Sequence, residues 1–184
     1  MMSTQTDMQP MMRSGRAPFA LVYGVICYLI FLATFLYSIG FVGDFVVPKS
    51  LDAGSVVSPF LAIVVDVALL GLFAAQHSIM ARPTFKQWWT RFVPHQVERS
   101  TYVLFASLAL LFLYWQWLPM RGIIWNIQNP IGQSLLLVLY GMGWLIVLLS
   151  SYLIDHFDLF GLRQVYLYWQ ARDEHAIAFK TPAL

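Results

Sequence analysis

The sequence predicts an all-α fold of the multi-pass membrane class, with four membrane-spanning helices in this chain. Of its 184 residues, 59% are hydrophobic and mean hydropathy is +0.67. Only 11% are charged, whereas a soluble domain carries about 25%. Four nearly uncharged runs are long enough to cross a hydrocarbon core of about 30 Å. They are residues 19–42, 56–81, 101–120 and 131–154.

The first run is preceded by a polar, methionine-rich segment that contains Pro10, Gly15 and Pro18. This composition predicts a disordered cytoplasmic leader over residues 1–18. A four-span membrane domain over residues 19–164 and a polar cytoplasmic tail over residues 165–184 complete the predicted organisation.

The second run contains one carboxylate, Asp66. A charge in mid-span costs roughly 2.5–3.5 kcal/mol on insertion scales, so Asp66 is expected to face other helices. His77 lies eleven residues later, on the same helix face but about three turns away. Asp66, Gln76 and His77 are therefore either structural hydrogen-bonding groups or parts of a site.

The segment between the second and third runs is basic, with four cations against Glu98 and with Trp88 and Trp89 among them. This mixture predicts a segment on the membrane surface beside anionic lipid. A lid over a cytosolic site is the alternative.

The third run ends in an interfacial aromatic belt. In the fourth run, Gly141 and Gly143 would let another helix approach closely.

Charge concentrates where the fourth run ends. Four ionisable residues fall within nine positions there: Asp155, His156, Asp158 and Arg163. Ionisable groups at the end of a span are costly unless they are paired or face water, which predicts a functional site. The alternative is an ion-paired cap that joins the fourth span to the tail.

The cations also predict the topology. Nine of the eleven lysines and arginines lie in the leader, the basic segment and the polar stretch from residue 161 onward, and the other two are Lys49 and Arg121. The positive-inside rule then places both termini in the cytoplasm, with the Asp155 cluster, Gln76 and the basic segment on the same side.

The net charge of +2 does not support nucleic-acid binding. Cys27 is the single cysteine, and no Cys/His pattern indicates a metal site.

Five sequence words carry a resemblance to a known family. They are QHSIMARP at residues 76–83, FKQWW at 85–89, ERSTY at 98–102, WQW at 115–117 and DHFDLFGLRQ at 155–164. In these words the chain resembles the methanethiol S-methyltransferase family, which is related to isoprenylcysteine carboxyl methyltransferases. The likeness extends over nearly all of the chain after residue 18.

The resemblance implies a multi-pass enzyme of the bacterial inner membrane. Such an enzyme transfers the methyl group of S-adenosylmethionine to methanethiol and yields dimethyl sulfide. A methyltransferase for another small thiol and a non-enzymatic membrane protein, such as an assembly factor or transporter subunit, are the alternatives. A transporter would more often show paired repeats with broken helices, which the sequence lacks.

Within that reaction the polar residues receive expected roles. A small thiol is mostly protonated near pH 7, so His156 or Asp155 is expected to accept its proton. Asp158 would face the sulfonium, and Arg163 would hold the carboxylate of the donor with help from Gln164. The expected substrate-side residues are Gln76, His77, Asp66 and Arg99.

The family pattern continues beyond a Thr-Pro such as Thr181-Pro182 into further segments that carry most cofactor contacts. From this we expect a missing C-terminal half after residue 184. Residues 1–184 alone are then expected to bind S-adenosylmethionine poorly and to be inactive. They are also expected to self-associate through the exposed face around Gly141 and Gly143.

Overall fold

The computed structural model describes residues 8–55, 57–120, 122 and 126–172, with side chains from residue 15 onward. The described part is helical and contains no strand. Its elements are α1 (Met8–Gly43), α2 (Pro59–Ala81), α3 (Pro83–Trp89), a 3-10 turn (His95–Val97), α4 (Glu98–Gln116), α5 (Pro130–Ile154), α6 (His156–Leu159) and α7 (Leu162–Trp169).

In the described part of the chain, four helical segments are long and apolar enough to cross a membrane. They lie in α1, in α2, in the 3-10 turn together with α4, and in α5. The predicted all-α fold with four spans is therefore confirmed, and the chain is an integral membrane protein. Helix α4 packs between α1 and α2, while the short helix α7 folds back onto α1. A buried apolar cluster of Phe41, Leu69 and Leu113 joins the three long helices.

The spans differ from the predicted ones at their ends. Helix α1 begins at Met8, so residues 8–18 are helical rather than a disordered leader. A formed helix adds one hydrogen bond for each further residue, and Pro10 lies in the first turn, where its missing N–H has no partner to lose. Helix α4 ends at Gln116, four residues before the predicted end, because Pro119 disfavours the helical conformation in the residue before it.

Local sequence explains where α2 and α5 begin. Pro59 and Pro130 occupy their first turns, and the side chains of Ser58 and Asn129 accept hydrogen bonds from Leu61 N (3.3 Å) and Ile131 N (2.9 Å). These are typical N-terminal signals, because they satisfy backbone donors that have no partner within the helix.

Helix α5 ends at Ile154, and the next residue, Asp155, adopts a left-handed conformation with φ of 105°. Since a left-handed residue cannot continue the helix, the chain changes direction there and starts α6 at His156. The tail boundary predicted at residue 165 falls inside α7. The predicted fourth span thus leads directly into a compact polar segment.

Helix α5 is the least packed of the spans. None of its residues, all of which the structure describes, is buried. Its contacts with α1 include the Tyr140 hydroxyl, which donates to Ile39 O, and an edge contact between Trp144 and Phe35 with ring centroids 5.5 Å apart. Gly141 and Gly143 have no other described group within 4 Å of a Cβ added to them. Helix approach at these glycines stays a prediction.

Candidate functional site

His156, the predicted site residue at the start of α6, is buried, with 4% of its surface exposed. Its Nε2 atom lies 2.8 Å from the Tyr28 hydroxyl of α1, and its Nδ1 atom lies 2.9 Å from Ser151 Oγ of α5. Tyr152 stacks on the imidazole at 4.3 Å between ring centroids. Both ring nitrogens are therefore engaged, and the ring orientation is determined by two different helices.

The hydrogen bonds also determine which nitrogen carries the proton. Ser151 Oγ lies 2.7 Å from the carbonyl oxygen of Leu148, which can only accept, so the serine proton points there. The serine oxygen must then accept from Nδ1–H of His156. Nε2 holds the lone pair, and the Tyr28 hydroxyl donates to it.

Burial also affects the charge of this residue. The surrounding groups remove water from the imidazole, and this desolvation lowers the pKa of His156 below its usual value. The neutral ring assigned by the hydrogen bonds is therefore the form present at neutral pH. A neutral imidazole with an accepting Nε2 has the protonation state that a general base requires.

Asp155 is mainly an anchor for the turn that starts α6. Its Oδ1 accepts from the backbone N–H of Asp158 at 3.2 Å, and its Oδ2 lies 3.8 Å from Arg163 Nη1. The Arg163 side chain keeps 34% of its surface exposed. The arginine thus has donors left for an anionic ligand, whereas the carboxylate is partly committed to holding the backbone.

Asp158 and Arg99 form an ion pair that joins α6 to α4. Arg99 Nη1 donates to the Asp158 carboxylate and also to the Asp158 backbone carbonyl at 3.1 Å. Sequence reasoning placed these residues on opposite sides of a reaction, one facing the donor and one facing the substrate. The structure brings them together as partners, a pairing that holds α6 in place.

Residues 98–102, the ERSTY word, form a junction at the start of α4. Successive helix residues point about 100° apart, so five in a row face five directions. Each of the five contacts a residue of a different element. The pairs are Glu98 with Lys86 of α3 (3.8 Å), Arg99 with Asp158 of α6, Ser100 with Gly161 before α7, Thr101 with Tyr23 of α1 (3.0 Å) and Tyr102 with His77 of α2 (2.9 Å).

Ser100, with none of its surface exposed, shows how tight this junction is. A Cβ atom added to Gly161 would lie 2.7 Å from both the backbone nitrogen and Oγ of Ser100. On the other side, a Cβ atom added to Gly24 would lie 2.6 Å from Val165 Cγ2 and 3.3 Å from Ser100 Oγ. Two glycines thus allow α1, α4 and the turn before α7 to meet, and buried Gln164 follows in α7.

The other predicted substrate-side residues lie on α2. His77 is exposed and contacts the junction through Tyr102, one turn from Arg99 on α4. Gln76 donates from Nε2 to the sulfur of Met80 within its own helix at 3.1 Å. Both belong to the same end of the bundle as His156.

Asp66 belongs to the opposite end of the bundle. It is 2% exposed, and its Oδ1 accepts from the backbone N–H of Leu118, just past the end of α4, at 3.0 Å. Eleven helix residues separate it from His77, roughly 16 Å along the axis. The structure does not bring it near His156, and its contact is the structural hydrogen bond given above as one alternative.

Sequence reasoning missed Tyr28 and Ser151, the two residues that hold the imidazole. Ser151 lies five residues before His156, and its hydroxyl meets the ring only because the chain turns at Asp155. Tyr28 is one of several tyrosines in the first apolar run. Nothing in its spacing distinguishes it, since its partner lies 128 positions away.

Comparison with known proteins gives relatives over most of the chain. The chain is 55% identical over 165 residues to a methanethiol S-methyltransferase of Crocosphaera subtropica, which covers 90% of this chain and 65% of that protein. It is 52% identical over 164 residues to the one of Mycobacterium tuberculosis, with 89% and 67% covered. Identity to methanethiol S-methyltransferase 1 of Bradyrhizobium diazoefficiens is 47% over 165 residues, with 90% and 58% covered.

The chain thus spans 58% to 67% of the length of these three relatives. No family model and no solved structure matches it. The matched region includes most of the described residues, and therefore both the junction at residues 98–102 and the segment around His156.

Proposed function

Because this chain belongs to the methanethiol S-methyltransferase family, we propose that it methylates methanethiol at a membrane, with S-adenosylmethionine as the methyl donor. One structural observation carries the proposal beyond the family. A neutral imidazole, with Nε2 as acceptor, is held at the end of the spans, and the preceding residue Asp155 contacts Arg163, which keeps free donors. This arrangement suits a reaction in which a small thiol loses its proton and the methyl donor carries a carboxylate.

The reaction needs a thiolate. Methyl transfer from a sulfonium is an in-line displacement, in which the thiol sulfur forms a bond to the methyl carbon while the sulfonium sulfur takes back the bonding electron pair. The thiol proton must leave, and His156 is the better placed acceptor of the two predicted bases. Asp155 instead holds the α6 turn and contacts Arg163.

The residues present suit one end of the donor. The contact between Arg163 and Asp155, at 3.8 Å, is longer than a hydrogen bond. The guanidinium can therefore take the carboxylate of S-adenosylmethionine in a paired, charge-assisted geometry. Asp158 of α6 and Gln164 of α7 precede and follow Arg163 in the sequence, and we assign both to the shape of this donor side.

The other predicted site residues are assigned by their positions in the helix bundle. Arg99 positions α6 through Asp158, while Gln76 and His77 form the edge of the site on α2. Asp66 ties α2 to the end of α4. The cation distribution supports an orientation with both termini in the cytoplasm of a bacterial inner membrane. The open face of α5 around Gly141 and Gly143 supports self-association in detergent.

The test is direct. The full-length gene product, purified in detergent, is given methanethiol and S-adenosylmethionine, and dimethyl sulfide is measured in the headspace. We expect release by the wild type and a loss of about 10²–10⁴-fold in His156→Gln, the range for general acid–base help. His95→Gln, at an exposed histidine of the 3-10 turn, is the matched control and should keep its activity.

Absence of dimethyl sulfide from a folded, membrane-inserted wild type would refute the proposal for this thiol. Ethanethiol and hydrogen sulfide, tested in parallel, would show whether another small thiol is the substrate. Equal activity in His156→Gln and wild type would remove the role of the imidazole and leave the family assignment untouched.

A further inference from the structure

A groove of about 530 Å³ runs between α1 and α7 and reaches the Asp155–Arg163 pair. Its walls are otherwise apolar and include Leu21 and Val25 of α1 and Phe157 of α6. A small apolar thiol partitions favourably into such a space, because its methyl group leaves water. The groove therefore offers a route by which a thiol reaches Asp155 and Phe157, the two sequence neighbours of His156.

The α1 wall of this groove leads to Tyr28. Leu21, Val25 and Tyr28 follow one another at four and three positions, so they form one stripe along the helix. On the opposite wall Phe157 contacts the imidazole of His156 at its edge, with ring centroids 5.5 Å apart. Tyr28 thus follows the groove residue Val25 on the same stripe of α1, and His156 contacts the groove residue Phe157.

The hydrogen bonds of Tyr28 leave its oxygen able to accept. Its only proton is donated to Nε2 of His156 at 2.8 Å. Since that nitrogen is occupied by the hydroxyl, an incoming thiol cannot reach it without displacing Tyr28. The phenolic oxygen has lone pairs remaining, and it is half-buried rather than enclosed.

We propose that Tyr28 is a catalytic residue that receives the thiol proton and passes its own proton to Nε2 of His156. This inference rests on the proposed function and adds a residue to it. As the thiol S–H bond breaks, its proton bonds to the Tyr28 oxygen, while the phenolic proton bonds to Nε2. The products of the step are a thiolate, an unchanged phenol and an imidazolium whose Nδ1–H is held by Ser151.

Methyl transfer follows the proton transfer. The thiolate electron pair forms the new S–CH₃ bond, and the electrons of the broken bond return to the donor sulfur, which becomes a neutral thioether. The imidazolium releases its extra proton to water before the next turnover. No oxidant or reductant enters the step.

The experiment compares two nucleophiles of similar size. Selenols are more acidic than the corresponding thiols and are largely ionised at neutral pH, so methaneselenol does not need the relay. In the full-length gene product, Tyr28→Phe should lower turnover of methanethiol by about 10²-fold or more. With methaneselenol the same variant should stay within a few-fold of wild type.

Two further variants keep the result interpretable. Tyr23→Phe removes another α1 hydroxyl, which lies 3.0 Å from Thr101 Oγ1, and should affect both nucleophiles little. Ser151→Ala removes the acceptor of Nδ1–H, so it should slow methanethiol selectively as well. It serves as the second test if Tyr28→Phe does not fold.

The outcomes separate this inference from the proposed function. Equal losses with thiol and selenol in Tyr28→Phe and Ser151→Ala would assign these residues to structure and overturn the relay. An unchanged rate with methanethiol in Tyr28→Phe would also overturn it. A wild type that methylates neither nucleophile would instead refute the proposed function.

Discussion

The close approach of Gly161 to Ser100 gives the sharpest prediction for stability. Gly161 adopts φ of +79°, and a Cβ atom there would lie 2.7 Å from two atoms of Ser100 and 3.1 Å from Arg99 C. Gly161→Ala therefore combines two costs. A left-handed residue with a side chain costs about 1–2 kcal/mol, and overpacking typically costs about 1–3 kcal/mol.

We expect a combined loss of about 2–5 kcal/mol in the free energy of unfolding for Gly161→Ala. Domains commonly have only about 5–15 kcal/mol in total, so this loss is large. The neighbour that must move is the backbone of α4, which a side-chain rotation cannot relieve. The displacement should also separate Arg99 from Asp158 and, under the proposed function, lower methyl transfer.

The assay uses the Cys27 thiol, which is 1% exposed. A maleimide dye reacts with it as the protein unfolds on heating in detergent. Gly143→Ala is the matched control, because a Cβ atom there meets nothing within 4 Å and alanine favours the helix by about 0.5–1 kcal/mol. If Gly161→Ala unfolds at the wild-type temperature, or if both variants lose equal stability, the close contact with Ser100 is wrong.

Three further predictions test the topology, the protonation state and the ion pair. Cysteines placed at Ser50 and Arg91 in a cysteine-free background should label from opposite sides of the membrane, and equal labelling from outside would contradict the cation rule. Because burial lowers the pKa of His156 below its unfolded value of 6.5, the unfolded state binds more protons at mildly acid pH, so stability should fall as pH drops below about 6.5. His156→Gln should flatten that slope in thermal unfolding, and an unchanged slope would assign it to other groups. A double-mutant cycle with Arg99→Ala and Asp158→Ala should give a stability coupling of about 1 kcal/mol, since both side chains are partly exposed, and a coupling near zero would show that the pair does not hold α6.

Sequence patterns alone were enough to predict the class of fold. A membrane span is specified by length and hydropathy because backbone groups in lipid must bond within their own helix. The four runs follow from this rule without knowledge of any contact. The family was also evident from the five sequence words between residues 76 and 164, and three relatives match about 90% of the chain at 47% to 55% identity.

The same patterns located the charged segment at the end of the fourth run, but they did not show that Asp158 in this segment pairs with Arg99 of α4. Asp158 and Arg99 are 59 positions apart, and no local rule joins them. The observed start of α1 and end of α4 also differ from the ends of the predicted apolar runs. The N-terminal extension of α1 and the early end of α4 depend on helix propagation and on Pro119, whereas hydropathy reports only the apolar length.

Only the tertiary structure decided which polar groups meet. Asp66 and His77 share one helix, yet one contacts Leu118 at the far end and the other contacts Tyr102 at the junction. His156 is held by Tyr28 from a helix 128 positions earlier. Hydropathy and charge are properties of single residues and therefore appear in the sequence. A hydrogen bond between distant helices depends on how the helices pack and rotate, which the order of residues along one chain does not display.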